Sequence, residues 1–182
     1  MKTLKIVGIV IGSAIFLFMV VFSIYLLMHK QAEAKEFEVG KRKSEKSILI
    51  ASQGSDFKNA LVEKLVDELE GDSVYIKVVD VSGLSDISEG DWDASIIIHT
   101  TEGWKLQPDV KDYLDSISNP ERIILVTTSG SGEWKTDEYN LDIYTSASKI
   151  STVDSLAGSI STDVKNILKQ NKEEDTGEKT AE

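Results

Sequence analysis

The side chains that could form a nucleophilic site lie at the ends of apolar runs. Neighbouring segments supply a histidine, two serines and two carboxylates: His99, Ser129, Ser131, Asp109 and Asp142. A nucleophile elbow of the form Gly-x-Ser-x-Gly is absent, because Thr127 occupies the first glycine position before Ser129. We therefore interpret His99 as a strand-end histidine with satisfied hydrogen bonds rather than as a catalytic base.

Metal and dinucleotide chemistry are weakly indicated. Asp91, Asp93 and Glu102 could ligate a cation, but the sequence contains no Asp-x-Asp-x-Asp-Gly loop. Gly130 and Gly132 follow an apolar run, yet no third glycine opens a helix there, as a nicotinamide-binding fingerprint requires. The chain has no cysteine, which excludes a disulfide framework and a thiolate metal site. We interpret the acidic residues as turn and surface residues.

The elements that must position these residues are short apolar strands alternating with amphipathic helices. The predicted strands are 47–51, 74–81, 94–99, 122–128 and a weaker 141–146. Near-continuous apolar strands of this kind indicate a parallel sheet that helices cover on both faces. Such sheets bind ligands at the carboxyl ends of their strands. The loops to examine are therefore 52–56, 100–107 and 129–140.

Four runs of residues follow one another in a specific order. They are Ile48-Leu49-Ile50-Ala51, Asp91-Trp92-Asp93-Ala94-Ser95-Ile96-Ile97-Ile98, Leu106-Gln107-Pro108-Asp109-Val110-Lys111-Asp112-Tyr113-Leu114-Asp115, and Ile123-Ile124-Leu125-Val126 followed by Thr127-Thr128-Ser129-Gly130-Ser131-Gly132. In this order they resemble the flavodoxin-like superfamily, over about residues 47–170. The resemblance implies a doubly wound α/β fold with a parallel five-stranded sheet of strand order 2-1-3-4-5.

The resemblance also implies FMN as cofactor and electron transfer as activity. In the family, hydroxyls and backbone N–H groups of the first loop hold the phosphate at a helix N-terminus, and aromatic side chains flank the ring. Trp104 would cover one face of the ring, and Tyr139 or Trp134 the other. The cofactor-binding residues carried over are Ser52, Gly54, Ser55, Thr100, Thr101, Trp104, Ser129, Gly130, Gly132 and Tyr139.

The first loop departs from the family pattern at two positions. Phe57 stands where a closing threonine is expected, and Asp56 puts a carboxylate beside the phosphate, where repulsion costs roughly 1 kcal/mol or more. We interpret Asp56 instead as the N-cap of the following helix, because capping alone explains both the residue type and its position. The alternative function is therefore a cofactor-free flavodoxin-like binding or structural module, in which an exposed Trp104 anchors a protein partner.

Residues 6–28 carry no charged side chain and are predicted to cross a membrane once. A hydrocarbon core about 30 Å thick needs about 20 such residues, whereas a cleavable signal has an apolar core of only about 7 to 15. Basic residues after the span outnumber those before it, so we expect a cell-membrane protein whose soluble domain faces the cytoplasm. The predicted segments are a transmembrane anchor at 1–28, a basic polar linker at 29–46, the domain at 47–170 and a disordered acidic tail at 171–182.

Charge is divided unevenly along the chain. Residues 1–46 carry eight Lys/Arg against four Glu, and subtracting this surplus of four from the whole-chain net charge of −11 leaves −15 for residues 47–182. Nucleic-acid binding relies on basic residues that neutralise phosphates, so this surface argues against it. A basic or membrane-bound protein partner is the better expectation.

Overall fold

The structure is a computed structural model that describes the backbone of residues 2–28 and 32–178 and the side chains of residues 11–24 and 33–171. It divides into two compact units, Met1–Gln31 and Ala32–Glu182. The first unit contains one helix, α1 (Lys2–Met28). The second unit contains the sheet and the remaining helices, and we call it the α/β domain.

The predicted membrane anchor is contradicted by the structure. Among the described residues, no helix has the length and the apolar character that crossing a membrane requires. The predictions of a single-pass anchor at residues 1–28, and of a cell-membrane location with a cytoplasmic domain, are therefore wrong.

The α/β domain alternates strands with helices along most of its length. Its elements in chain order are β1 (Ala32–Glu33), β2 (Phe37–Val39), β3 (Lys46–Gly54), α2 (Asp56–Leu69), β4 (Val74–Asp80), β5 (Ala94–Thr100), α3 (Pro108–Ser116), β6 (Ile123–Thr128), β7 (Asp142–Ser146) and α4 (Val153–Glu178). Short 3₁₀ turns connect several of them.

Five strands form a parallel sheet in the order β4-β3-β5-β6-β7. The predicted order 2-1-3-4-5 is thereby confirmed for these strands. The predicted number of strands is too low, because β2 pairs antiparallel with the outer side of β4 and makes six in sequence across the sheet. β1 pairs separately with the end of β3. Both extra strands arise within residues 29–46, for which the sequence predicts a linker.

Side chains alternate between the two faces of the sheet, and helices cover each face. On one face, Ile48 and Ile50 pack with buried residues of α2 and α4. On the other, Leu49 and Ala51 pack with α3 and with the turns that follow β4. This is the period-two alternation of a strand that is buried on both sides. The carboxyl ends of the parallel strands remain as the edge at which loops can gather.

The C-terminal helix is longer than the sequence indicates. α4 continues to Glu178 and so includes much of the segment predicted as a disordered tail. Side chains beyond residue 171 lie outside the described residues. The buried face of α4 consists of apolar residues at helical spacing: Val153, Ala157, Ile160, Val164, Ile167 and Leu168.

Candidate functional site

The first predicted loop is part of a strand. β3 continues through Gly54, because β1 pairs antiparallel with it and places Ala32 opposite Gly54 and Glu33 opposite Gln53. The backbone that would cradle a phosphate is therefore held in extended conformation. Ser52 is fully buried, and its hydroxyl donates to the carbonyl of Gln53 at 3.0 Å.

A polar side chain next to the first turn of α2 caps that helix. Ser55 is the N-cap, and its hydroxyl accepts a hydrogen bond from the backbone N–H of Lys58 at 3.3 Å. Asp56 is instead the first helical residue and is exposed, so its interpretation as the N-cap is wrong by one position. Its carboxylate stabilises the positive end of the helix dipole. Phe57 is only 3% exposed and packs in the core between the sheet and α2.

A buried lysine lies beneath the carboxyl ends of β5 and β6. Lys58 is 1% exposed, and its Nζ donates to Thr100 Oγ1 at 2.7 Å. The hydroxyls of Thr100 and Thr128 are 2.9 Å apart, and Thr128 donates to the carbonyl of His99 at 3.2 Å. We call these four residues the Lys58 network. Burial lowers the pKa of Lys58 to about 8, so the amine remains largely a charged donor at neutral pH.

His99 is fully buried at the end of β5. Its Nδ1 lies 3.0 Å from the carbonyl of Thr100, which can only accept, so Nδ1 carries the hydrogen and donates it. Nε2 is then a buried acceptor, and it has no hydrogen-bond partner among the described residues. The predicted strand-end histidine is thus satisfied at one ring nitrogen only. Burial lowers its pKa to about 4, with a smaller contribution from the nearby charge of Lys58. The ring is neutral at pH 7.

The second loop is a tight turn that exposes a tryptophan. Glu102 and Lys105 exchange two backbone hydrogen bonds of 3.0 and 3.1 Å. Gly103 and Trp104 between them have φ values of 58° and 64°, which is the pattern of a type I′ turn. A left-handed conformation is unusual for a bulky residue. Trp104 is also 71% exposed. The turn therefore holds a large apolar side chain outward, in solvent.

The third loop lies beside the second at the same edge of the sheet. Thr101 donates its backbone N–H to the carbonyl of Thr128 at 3.0 Å, and Ser129 donates likewise to the carbonyl of Ser146 at 3.1 Å. Ser129 Oγ accepts from the N–H of Gly132 at 3.0 Å. Gly132 has φ 73°, and a Cβ there would lie 2.5 Å from the backbone nitrogen of Ala147. The loop is therefore folded against itself and against the chain after β7.

The two remaining aromatic candidates differ in position. Tyr139 donates its hydroxyl to Asp115 Oδ1 at 2.5 Å, and Asp115 is in the last turn of α3. Because α3 begins near the carboxyl ends of the strands and runs away from them, Tyr139 lies toward their amino ends. Trp134 is partly buried and packs against the core on the α3 face. The structure thus brings together Thr100, Thr101 and Ser129, and it places Tyr139 elsewhere.

The residues of the first loop do not fit the phosphate of FMN. Ser52 is buried and its hydroxyl donates to the main chain, Ser55 caps its own helix, and β1 covers the backbone at Gly54. A phosphate site at a helix N-terminus needs hydroxyls and N–H groups that point toward the ligand. Gly130 at the third loop is exposed with open space around it, but it cannot replace the first loop.

The residues considered for a nucleophilic site or a metal site are likewise dispersed. Asp142 begins β7 opposite Ile124, whereas His99 pairs with Thr127, three positions nearer the carboxyl edge. Asp109 accepts a hydrogen bond from Gln107 at 2.6 Å. Within the described residues, no group of three or more His, Cys, Asp or Glu side chains could hold a metal ion.

Sequence reasoning missed Lys58, although a signal was present. The apolar stripe of α2 includes Leu61, Val62 and Leu65, and Lys58 lies three, four and seven residues before them. That spacing puts it on the buried face of the helix. A lysine within an apolar stripe indicates a buried amine whose partner must come from the sheet.

No family model matches the sequence, and no curated protein matches it. Among solved structures, the chain is similar to an X-ray structure of an oxidoreductase from Corynebacterium diphtheriae in an orthorhombic crystal form. The sequence identity is 10%, the match covers 66% of this chain and 97% of that chain, and the TM-score is 0.44. At this level the similarity does not bear on function.

Proposed function

We propose that the α/β domain is a cofactor-independent binding module that docks a basic protein partner at the carboxyl edge of its sheet. The observation that carries the proposal is Trp104, which is 71% exposed at the tip of a tight turn. Tryptophan is among the residue types that are enriched at the hot spots of protein interfaces. The covered first loop supports the same conclusion, because it removes the site that a flavin phosphate would need.

A second exposed apolar residue lies at the same edge. Ile150 follows β7 and is 58% exposed. Trp104 follows β5, and one strand, β6, separates β5 from β7 in the sheet. Strands lie about 4.8 Å apart, so the starts of the two loops are about 10 Å apart across the edge. Within the described part of the domain, these two are the exposed large hydrophobic residues.

The chemistry of the partner follows from charge. Residues 47–182 carry a net charge of −15, which attracts a basic surface and raises its rate of association. Complementary charge does not replace the apolar anchor, because rim charges chiefly affect the association rate. We therefore expect binding that depends on Trp104 for affinity and on salt concentration for rate.

Capture of partners from cell extract by the full chain tests this function. Trp104→Ala should lose about 2 kcal/mol of binding, or roughly thirtyfold in affinity, as truncation of a central anchor typically does. Lys105→Ala, in the same turn, is the matched control and should retain capture. Equal capture by wild type and Trp104→Ala, or capture that 0.5 M salt does not slow, would contradict the proposal.

FMN binding with electron transfer is the second candidate function. The strand order of the parallel sheet and the meeting of the second and third loops at one edge support it, whereas the buried Ser52 argues against it. Reconstitution with excess FMN, followed by gel filtration and an absorbance scan, separates the two. Under the binding-module proposal, the protein elutes without a flavin spectrum. A stoichiometric flavin spectrum would establish the second candidate instead.

A further inference from the structure

The outer side of β7 is an open surface that is distinct from the turn carrying Trp104. β7 is the last strand of the sheet, and within the described residues it is paired with β6 alone. All but the last of its residues are exposed or partly exposed. An edge strand in this state offers unpaired backbone donors and acceptors to another extended chain.

The backbone groups that face outward can be identified. The carbonyl of Tyr144 accepts from Thr127 Oγ1 at 3.4 Å, and the carbonyl of Ser146 accepts from the N–H of Ser129 at 3.1 Å. Both carbonyls therefore point toward β6. Because backbone groups alternate in direction along a strand, Ile143 and Thr145 turn their N–H and C=O groups outward.

A groove accompanies this edge between β7 and α4. Near the carboxyl end of β7, a cavity of about 430 Å³ is bounded by the strand, by Gly132 and by the first turns of α4. Near its amino end, a cavity of about 360 Å³ is bounded by residues 140–142 and by later turns of the same helix. Tyr144 crosses between them and donates its hydroxyl to Asp163 Oδ2 at 2.5 Å. A strand added beside β7 would direct alternate side chains into these cavities.

The two cavities differ in chemistry. Three carboxylates, from Glu121, Asp142 and Asp163, line the cavity at the amino end, and no lysine or arginine is among its lining residues. The other cavity is lined mainly by serine and threonine hydroxyls, with Lys149 at its rim. A basic side chain is therefore favoured at the amino end of β7, and small polar side chains are favoured at the other.

β7 also lacks the usual devices that prevent strand addition. Its sequence, Asp-Ile-Tyr-Thr-Ser, has no proline and no lysine, and it pairs with β6 in unbroken register. Isoleucine, tyrosine and threonine favour extended structure. Edge strands without such protection are those to which extended peptides add in known recognition modes.

We propose that the groove between β7 and α4 binds an extended basic peptide segment of a protein partner, which joins the sheet as a strand next to β7. Main-chain hydrogen bonds to Ile143 and Thr145 hold the segment. A lysine or arginine of the segment pairs with the carboxylates near Asp142. This site is independent of Trp104.

Fluorescence anisotropy with the full chain tests the site. The probe is a fluorescein-labelled peptide of alternating threonine and valine with lysines at both ends. Thr145→Pro removes an outward donor and should weaken binding at least about tenfold, because proline cannot take part in strand pairing. Asp142→Lys should weaken binding about fivefold through charge repulsion. Asp67→Lys, an equal change of charge on the exposed face of α2, should leave affinity unchanged.

Hydrogen exchange supplies a readout that does not depend on a variant folding. Saturating peptide should slow exchange at the amides of Ile143 and Thr145 and leave Tyr144 unchanged, because the latter already faces β6. Trp104→Ala should bind the probe as wild type does, so that failure here and failure of the proposed function are separate results.

Three outcomes would overturn the inference. One is no binding of the probe at 1 mM peptide. Another is equal affinity of Asp142→Lys and Asp67→Lys. The third is self-association of the wild-type chain that Thr145→Pro abolishes, because it would assign the edge to a second copy of this chain.

Discussion

The two edges of the sheet are built in opposite ways. β2 closes one edge with three residues, Phe37–Val39, and the chain around it is tied down on both sides. Ala34 donates its N–H to Asp80 Oδ2 at 2.7 Å, and Arg42 pairs with Glu38 at 2.6 Å. β7 forms the other edge with five residues, and no such attachment along its outer side is present among the residues that the structure describes. A short edge that is tied down by such contacts resists further pairing, whereas a longer edge without them invites it.

Edge protection in this chain is therefore local. The strand that closes the β2 edge lies shortly before β3, and its two attachments are an ion pair within that segment and a hydrogen bond to Asp80 at the end of β4. At β7, the chain leaves the edge and enters α4 directly. The protected edge should therefore depend on a few individual contacts, and four measurements test how strongly.

Gly40→Ala should have the largest effect. Gly40 has φ 83°, and a Cβ there would lie 2.1 Å from the carbonyl oxygen of Val74, a backbone atom that cannot move aside. We expect a loss of roughly 3 kcal/mol or more in the free energy of unfolding, measured by urea denaturation. Gly71→Ala is the matched control, because its Cβ would meet Val74 Cγ2 at an ordinary 4.0 Å. Equal stability of the two variants would show that this edge does not require glycine at position 40.

A fall in pH should destabilise the centre of the sheet more than its edges. The pKa of His99 is lowered from 6.5 to about 4, so the unfolded chain takes up a proton more readily than the folded one. The free energy of unfolding should therefore fall as pH decreases from about 6.5 to 4, by about 1.4 kcal/mol per pH unit at most. Hydrogen exchange read between pH 7 and 5 should show lower protection in β5 and unchanged protection at the outer amides of β7, which exchange by local opening.

His99→Asn provides the control for that experiment. The variant should lose the His99 contribution to the pH dependence and retain any contribution from carboxylates. If wild type and variant show the same slope between pH 6.5 and 5, burial of His99 does not determine acid stability.

Asp80→Ala should loosen the β2 edge without unfolding the domain. Asp80 accepts hydrogen bonds from Ala34 N–H at 2.7 Å and from Ser82 N–H at 3.0 Å. Removing a charged acceptor of this kind costs about 1.5 to 3 kcal/mol. Limited trypsin digestion should cleave faster after Lys35, which is exposed, and Asp86→Ala should cleave at the wild-type rate. Unchanged cleavage in Asp80→Ala would show that this contact does not hold the edge.

Tyr144→Phe should give the smallest change, at the open edge. The variant loses the hydrogen bond to Asp163. Burial, with a further contribution from this bond, raises the pKa of Tyr144 to about 12. We expect a cost of about 1 kcal/mol in chemical denaturation. Tyr139→Phe removes a comparable bond to the exposed Asp115 and should cost less. A larger cost for Tyr139→Phe would show that the bond between Tyr144 and α4 contributes less to stability than the exposed bond between Tyr139 and α3.

The parallel sheet could be predicted from the sequence because its strands are buried on both faces. The predicted strands 94–99 and 122–128 correspond to Ala94–Thr100 and Ile123–Thr128 in the structure. Continuous β-branched runs give this signal without any knowledge of neighbours. The strand order is predicted only by the resemblance to the flavodoxin-like superfamily, because no local sequence pattern determines which strand lies beside which.

The first loop could not be predicted because a distant segment determines it. β3 was expected to end at Ala51, and it continues to Gly54 only because Ala32 and Glu33 pair with it. Two such residues in a polar segment carry no strand signal of their own. Ser55 and Asp56 are adjacent and both suited to capping, so that the choice between them depends on backbone geometry.

The pairing of β1 with β3 has a mechanical consequence. β1 is antiparallel to β3, and its two paired positions lie at the point where the chain enters the domain. Tension applied through the N-terminal side of Ala32 therefore loads these pairs one after another, as in opening a zipper, and not all together in shear. β1 should detach from β3 under a much smaller force than the parallel strands withstand. Pulling on this end would thus uncover Gln53 and Gly54 while the rest of the domain stays folded.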